Sequence, residues 1–290
     1  MHKILSTVLA FALVTAAATP VRADPAVDAR ETVPSDVTVA FAVYDRGSGR
    51  TTLRFNEHQR IRSASVVKIL IALDYFETNG ATTPIPEADL ALLVPMLRSS
   101  NDDAASELWV RLGWEKIVER AVVRLGLRDT APPVNVGFWG YTALSAADVV
   151  TIYRHILEVA PAPVRDFVMG NLFEATTCAS DGFDQSFGIP SAVPGRVAFK
   201  QGWSRFGDVP PRPCVEPKPR RDLGASKDGP ETRTDVPDLT RPAMHTTGTY
   251  GDRIMAVLTL EPEGTTWDES ARRITGLTRA VYLADRIIGG

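Results

Sequence analysis

The chain has 290 residues, 44% hydrophobic and 23% charged, the balance of a globular protein with a substantial core. Its net charge of -3 gives no basic field for nucleic acid or an anionic membrane, and its aromatic residues are not interleaved with Lys or Arg as a base-stacking platform requires. Length and composition fit one large domain or two closely packed lobes better than a string of modules.

Residues 1–23 read as a signal peptide. Met1-His2-Lys3 is a short basic start, Ile4 to Ala18 is apolar, and Val21-Arg22-Ala23 offers small residues at the two positions that a signal peptidase reads, so cleavage after Ala23 is expected. An N-terminal membrane anchor is the alternative. No cysteine follows the apolar run to carry a lipid, and no later stretch is long and apolar enough to span a bilayer. A secreted or otherwise extracytoplasmic protein is therefore expected, acting as a monomer. An oxidising compartment would permit Cys178 and Cys214 to pair, although two cysteines can equally stay free. No metal is expected, because His2, His58, His155 and His245 are scattered and neither C-x-x-C nor H-E-x-x-H occurs.

Residues 24–36 combine Pro, Ala and charge, and read as a leader to a domain over 37–290. Val37 to Tyr44 and Thr51 to Phe55 are strand-like around the turn chemistry of Asp45-Arg46-Gly47-Ser48-Gly49, which predicts a hairpin. Ser65 to Phe76 is apolar on nearly every side and predicts a buried helix, ended by Asn79-Gly80. Helical spacing then predicts helices over Glu87 to Leu97, Ala104 to Leu112, Trp114 to Leu125, Thr142 to Val159 and Pro163 to Phe173, a helical lobe over about 81–175. Gly126 to Tyr141 reads as loop. Strands follow at Arg196 to Gly202, His245 to Tyr250 and Arg253 to Leu260, and a long helix at Thr266 to Ile288. Residues 204–242, rich in Pro, Arg, Lys and Asp, read as a mobile surface insertion. Strands at both ends with helices between imply an α+β fold: an antiparallel sheet built from both termini, the C-terminal helix on one face, and a central helical lobe.

Ser65-Val66-Val67-Lys68 is the first stretch with chemistry. Residues three apart share a helix face, so the Ser65 hydroxyl and the Lys68 amine would meet in a low-dielectric environment that favours a neutral, proton-accepting amine. A serine beside such a base is an activated nucleophile. A core helix with a serine cap and a snorkelling lysine would leave the same four residues.

With Ser100-Asn101-Asp102 and Lys200-Gln201-Gly202, this makes three motifs in order: on a helix start, in a helix-to-helix loop, and on a late strand. Their order and contexts resemble those of the serine β-lactamase and penicillin-binding protein superfamily, class A enzymes in particular. Ser99 to Leu112 also resembles that family's segment from its second motif into the next helix. The resemblance implies a β-lactamase/transpeptidase-like fold and a serine hydrolase that works through an acyl-enzyme. Ser65 would attack a carbonyl while Lys68 takes its proton. Ser100 would carry a proton to the leaving nitrogen, and Lys200 would tune Ser100 and attract a substrate carboxylate. The backbone N–H groups of Ser65 and Trp203 would form the oxyanion hole. Asp102, Gln201 and Gly202 would line the substrate. Substrates would be β-lactams or peptidoglycan D-alanyl peptides, with no cofactor.

Departures from the pattern carry expectations of their own. Asp102 stands where the family has an amide, and a carboxylate accepts hydrogen bonds without donating any. Gln201 replaces a small hydroxyl residue. Gly126 to Tyr141, in the place of the class A omega loop, has Asp129 as its only acid and no glutamate, so slow deacylation is expected. Reading the second motif as Ser99-Ser100-Asn101 would restore the usual Asn. Ser100 with Asp103 also fits a helix capping box. A non-catalytic wall-binding or regulatory protein that retains the fold remains the alternative function. A Ser-His-Asp hydrolase is disfavoured by the absence of G-x-S-x-G.

Overall fold

The structure, a computed structural model, describes residues 24–82, 84–215 and 237–288. The chain runs through helix α1 (Pro25–Arg30), strands β1 (Thr38–Asp45), β2 (Arg50–Phe55) and β3 (Ile61–Arg62), a 3-10 turn at Ala64–Val67, and helix α2 (Lys68–Asn79). Helices α3 (Glu87–Arg98), α4 (Asp102–Arg111) and α5 (Lys116–Leu125) precede strand β4 (Ala143–Leu144), helix α6 (Ala146–Arg154) with a π turn at His155–Val159, and helix α7 (Ala162–Phe173). The one-turn helix α8 (Ile189–Ala192), strands β5 (Val197–Ser204), β6 (Ala243–Tyr250) and β7 (Arg253–Leu260), and helix α9 (Trp267–Ile288) complete it. The expected signal peptide, 1–23, lies outside the described residues.

Strand alternation organises two cores on either side of one antiparallel sheet, ordered β2-β1-β7-β6-β5. On β1, Ala40, Ala42 and Tyr44 face the helical lobe, while Val39, Phe41 and Val43 face α9. On β7, Ile254, Ala256 and Leu258 join the first group, and Met255 and Val257 the second. Small alanines on the lobe side let helices approach the sheet closely, and α2 lies within this core with every residue from Lys68 to Phe76 buried. An all-round apolar helix has no other stable place. Its buried acid, Asp74, is held by two guanidinium nitrogens of Arg120 on α5, at 2.9 and 2.6 Å.

On the other face, Ile274, Leu277, Val281 and Ala284 of α9 pack on the sheet. Buried Asp285 fixes that helix by accepting from Arg253 Nε (2.9 Å), Tyr250 Oη (3.0 Å) and Thr52 Oγ1 (2.5 Å). Residues 24–36 are not a bare leader: Asp24 caps α1, and Ala26 and Ala29 are buried in the core shared with α9.

Strand β5 is an edge strand, and the turn that carries Ser65 lies against it. A Cβ at Gly202 would come within 2.9 Å of Ser63 O and 3.1 Å of Val66 Cγ2, so only glycine permits this approach. Gly202, expected at the substrate, therefore serves the packing of the turn that carries Ser65. Of the expected insertion at 204–242, the middle lies outside the described residues, whereas both ends are tied down. Cys214 is disulfide-bonded to Cys178 across a Cα–Cα distance of 5.4 Å, and its N–H donates to Gly182 O. The Arg62 guanidinium donates to the carbonyls of Asp238 and Arg241.

Candidate active site

Ser65 sits in the 3-10 turn that precedes α2, rather than in the α-helix itself. The turn is held on three sides. Ser63 N–H donates to Thr142 O at 2.7 Å, β3 pairs with β4, and Gly202 of β5 packs beneath. Ala64 takes a left-handed φ of 45°, and such backbone persists only where surrounding contacts over-determine it. From this turn Ser65 Oγ lies 2.9 Å from Lys68 Nζ, the first residue of α2.

Ser100 also has a left-handed φ, 56°, in the link between α3 and α4. Asn101, not Ser100, caps α4: its Oδ1 accepts from Ala104 N–H at 2.7 Å. Ser100 is thereby free to turn inward, where its hydroxyl accepts from Lys200 Nζ at 2.8 Å and lies 3.3 Å from Lys68 Nζ. Lys68 Nζ also donates to Ser100 O at 2.6 Å and to Asp102 Oδ1 at 2.5 Å. The geometry thus follows the register Ser100-Asn101-Asp102. In the other register Ser99 would take the place of Ser100, but Ser99 Oγ is engaged with Pro95 O and Ser180 Oγ.

Both lysines are fully buried. Burial pushes the Lys200 amine well below the ordinary lysine value, and the charge of Lys68 adds to this, while Asp102 and Asp181 oppose it. Lys200 and Gln201 are neighbours on a strand and point to opposite faces. Lys200 reaches Ser100, whereas Gln201 is buried with its Nε2 donating to Gln185 O (3.1 Å) and Phe187 O (2.5 Å). The expected placement of the Gln201 side chain along the substrate does not hold, since it has no surface open to the cleft. Trp203 is half-buried at the end of β5.

Two residues without a motif complete the site. Trp139, in a 3-10 turn of the 126–141 loop, places its ring 4.7 Å from Lys68 Nζ, a cation–π contact, and donates from Nε1 to Ser106 Oγ. Asp181, three residues after Cys178, accepts from Trp203 Nε1 at 3.2 Å. Desolvation by the surrounding chain pushes the Asp181 carboxyl above its ordinary value, opposed by the Phe183 N–H and by Lys68 and aided by Asp102. An aromatic flanked by Gly137 and Gly140 was the only sequence signal for Trp139, and Asp181 had none. Asp129 is elsewhere, accepting from Ser145 Oγ (2.8 Å) and paired with His58 Nδ1 (2.7 Å) at the base of α6.

A serine beside a buried amine, with a second serine beside a second buried amine, lies on a fold that has solved counterparts. The chain superposes on a class A β-lactamase from Mycobacterium abscessus with a TM-score of 0.64, covering 92% of this chain and 100% of that one at 18% identity. PBP-A gives 0.62 at 14% identity, covering 91% and 96%. This is the serine β-lactamase and penicillin-binding protein fold. Among the structures that share the β-lactamase fold with this chain is a mutant PBP-A in an acyl-enzyme complex with penicillin G, at a TM-score of 0.63 and 14% identity over 91% of this chain and 96% of that one. No protein-family model matches the sequence. Proteins named "Putative lipoprotein LppW" from Mycobacterium tuberculosis and Mycobacterium bovis are 37% identical over 190 residues, 63% of this chain. The match spans 59% of the length of those relatives.

Proposed function

We propose that this protein is an extracytoplasmic serine hydrolase that forms an acyl-enzyme at Ser65 with β-lactams or D-alanyl peptide amides and releases it slowly. The observation that carries this reading is the double Ser–Lys arrangement: Lys68 Nζ 2.9 Å from Ser65 Oγ and Lys200 Nζ 2.8 Å from Ser100 Oγ. Each distance is within reach of direct proton transfer. Lys68 serves Ser65, Ser100 protonates the leaving nitrogen, and the N–H groups of Ser65 and Trp203 receive the oxyanion. Slow release follows from Asp129, whose carboxylate is committed to His58 and Ser145 and leaves the 126–141 loop without a base for water. Export is supported by the sequence of residues 1–23 and by the lipoprotein name of the mycobacterial relatives.

A wall-binding protein without turnover is the second reading, favoured by the buried Gln201 and by the carboxylate that occupies Lys68. A fluorescent penicillin separates the two. Covalent labelling of the natural protein that is lost in Ser65→Ala is expected. Labelling that survives this change would overturn the nucleophile, and peptidoglycan retention with no acylation by any activated amide or ester would leave the binder.

A further inference from the structure

We infer that Asp102 acts through Lys68 as the store for its proton, a role that rests on the hydrolase reading above. A lysine ammonium has three N–H donors and no acceptor. Lys68 Nζ has three oxygens within hydrogen-bonding distance at 2.9 Å or less: Ser65 Oγ at 2.9 Å, Ser100 O at 2.6 Å and Asp102 Oδ1 at 2.5 Å. A charged Lys68 so placed has every donor used and nothing with which to receive the Ser65 proton. A backbone carbonyl cannot take a proton from it, and a serine hydroxyl is a very weak base. Among the partners in the described residues, the Asp102 carboxylate is the one that can relieve Lys68 of a proton and open a lone pair towards Ser65. The other charged groups that face the pair are Lys200 on β5, Asp181 on the segment before α8, and Asp103 beside it on α4.

The steps balance. In acylation the Ser65 Oγ proton moves to Lys68 Nζ as an Nζ proton moves to Asp102 Oδ1, and the bond from Oγ to the carbonyl carbon forms. When the bond from that carbon to the leaving atom breaks, the leaving atom takes the Ser100 hydroxyl proton. Lys68, 3.3 Å away, refills Ser100, and Asp102 refills Lys68. The net change is one proton moved from Ser65 to the leaving atom. Deacylation, slow for want of a base in the 126–141 loop, is left to the same pair: water gives its proton through Lys68 to Asp102 as it bonds to the acyl carbon, and the proton returns through Lys68 to Ser65 as the ester bond breaks. The Asp102 side chain is 63% exposed, so the store stands where solvent meets the buried lysine.

The experiment is the pH profile of Ser65 acylation, read by intact-protein mass spectrometry with a phenyl acetate ester, a penicillin and a fluorophosphonate, in the natural protein, Asp102→Asn and Asp102→Glu. With a store, the reactive pair carries one proton shared between Lys68 and Asp102, and the rate fails on the acid side only when a second proton loads. Asp102→Asn needs Lys68 bare, so its acid limb moves to higher pH by more than about one unit, with a loss of about tenfold per unit below it, and Asp102→Glu restores the profile in part. If the carboxylate merely neutralises Lys68, its removal moves the limb to lower pH or leaves it in place, and either result overturns the store. Asp102→Asn keeps side-chain shape at an exposed position, and an unchanged melting temperature verifies its fold. A natural protein that forms no adduct with any of the three reagents would overturn the hydrolase reading and the store together. Adducts without the alkaline shift would overturn the store alone.

Discussion

The amine of Lys200 lies 2.8 Å from the hydroxyl of Ser100, with 1% and 4% of the two residues open to solvent. A pair so enclosed has few other uses for its proton, and burial drives Lys200 towards the neutral form. Ser100→Ala should therefore slow acylation by an amide or β-lactam about 10²–10⁴-fold, the usual worth of a positioned proton donor. A phenyl ester, whose leaving group needs little protonation, should lose far less. Lys200→Ala should follow the same pattern, and the double variant should be no worse than the poorer single one, because the two act as a unit. Equal losses on both substrates would show that Ser100 holds the site together and moves no proton.

Gly202 makes a prediction about the scaffold. Ser63 O stands 2.9 Å from where a Cβ would be, and Ser63 cannot retreat, since its N–H is bound to Thr142 O and the next residue already has a left-handed φ. Gly202→Ala should cost about 1–3 kcal/mol by overpacking and should slow acylation as the Ser65 turn shifts. Gly276 on α9 is the control, because a Cβ there meets nothing within 4 Å. Gly276→Ala should stabilise by about 0.5–1 kcal/mol with acylation unchanged. Denaturant midpoints and labelling rates measure both.

How much of this was legible depended on whether a signal was periodic. Helices α3, α4, α5, α7 and α9 begin and end within a few residues of where apolar spacing places them, because each buries one continuous stripe. Helix α1 escaped because its buried face is Ala26 and Ala29, whose small side chains give little hydrophobic contrast beside Pro and charge. Strands β3 and β4, two residues each, and the one-turn α8 are too short for any period to show. Ser65, Lys68, Ser100 and Lys200 were legible as spaced motifs, yet strand parity could have corrected Gln201, since neighbours on β5 cannot both face Ser100. Trp139 and Asp181 stand on loops whose paths are set by distant partners, such as the bond from Trp109 Nε1 to Val136 O, and local sequence does not encode these.

His245 predicts a pH dependence of stability. It is buried on β6, its Nδ1 accepts from Thr259 N–H at 3.3 Å, and its Nε2–H donates to Arg62 O at 2.8 Å. Protonation would set a hydrogen on Nδ1 against that N–H donor. Burial pushes the imidazole down to about 4, although the Arg62 carbonyl opposes this. Because the folded value is the lower one, its contribution is fully present above pH 6.5 and is lost as pH falls towards 4, about 3 kcal/mol over that window. Chemical denaturation between pH 4 and 7 should show this loss, and His245→Gln should remove that part of the slope even if it is less stable throughout. An unchanged slope in the variant would assign the acid sensitivity to other groups.

The disulfide between Cys178 and Cys214 closes a loop of 36 residues that runs from the cleft wall through all of β5 and beyond it. It stands among contacts that reach the site: Ser180 N–H donates to Ser99 O at 2.7 Å, Cys214 N–H to Gly182 O at 2.8 Å, and Trp203 Nε1 to Asp181. Chain entropy gives a cross-link of this span about 3–4 kcal/mol. The variant Cys178→Ser/Cys214→Ser should be destabilised by that order. The buried pairs of Lys68 and Lys200 rest on α2 and β5 and should survive, so acylation by a small phenyl ester should persist at moderate temperature. Asp181 and Trp203 are held to each other beside the site, so acylation by larger amide substrates should fall further as that contact loosens. Both losses should appear in the natural protein treated with a reductant and reverse on reoxidation. Equal losses on small and large substrates would place the effect of the cross-link in global stability alone.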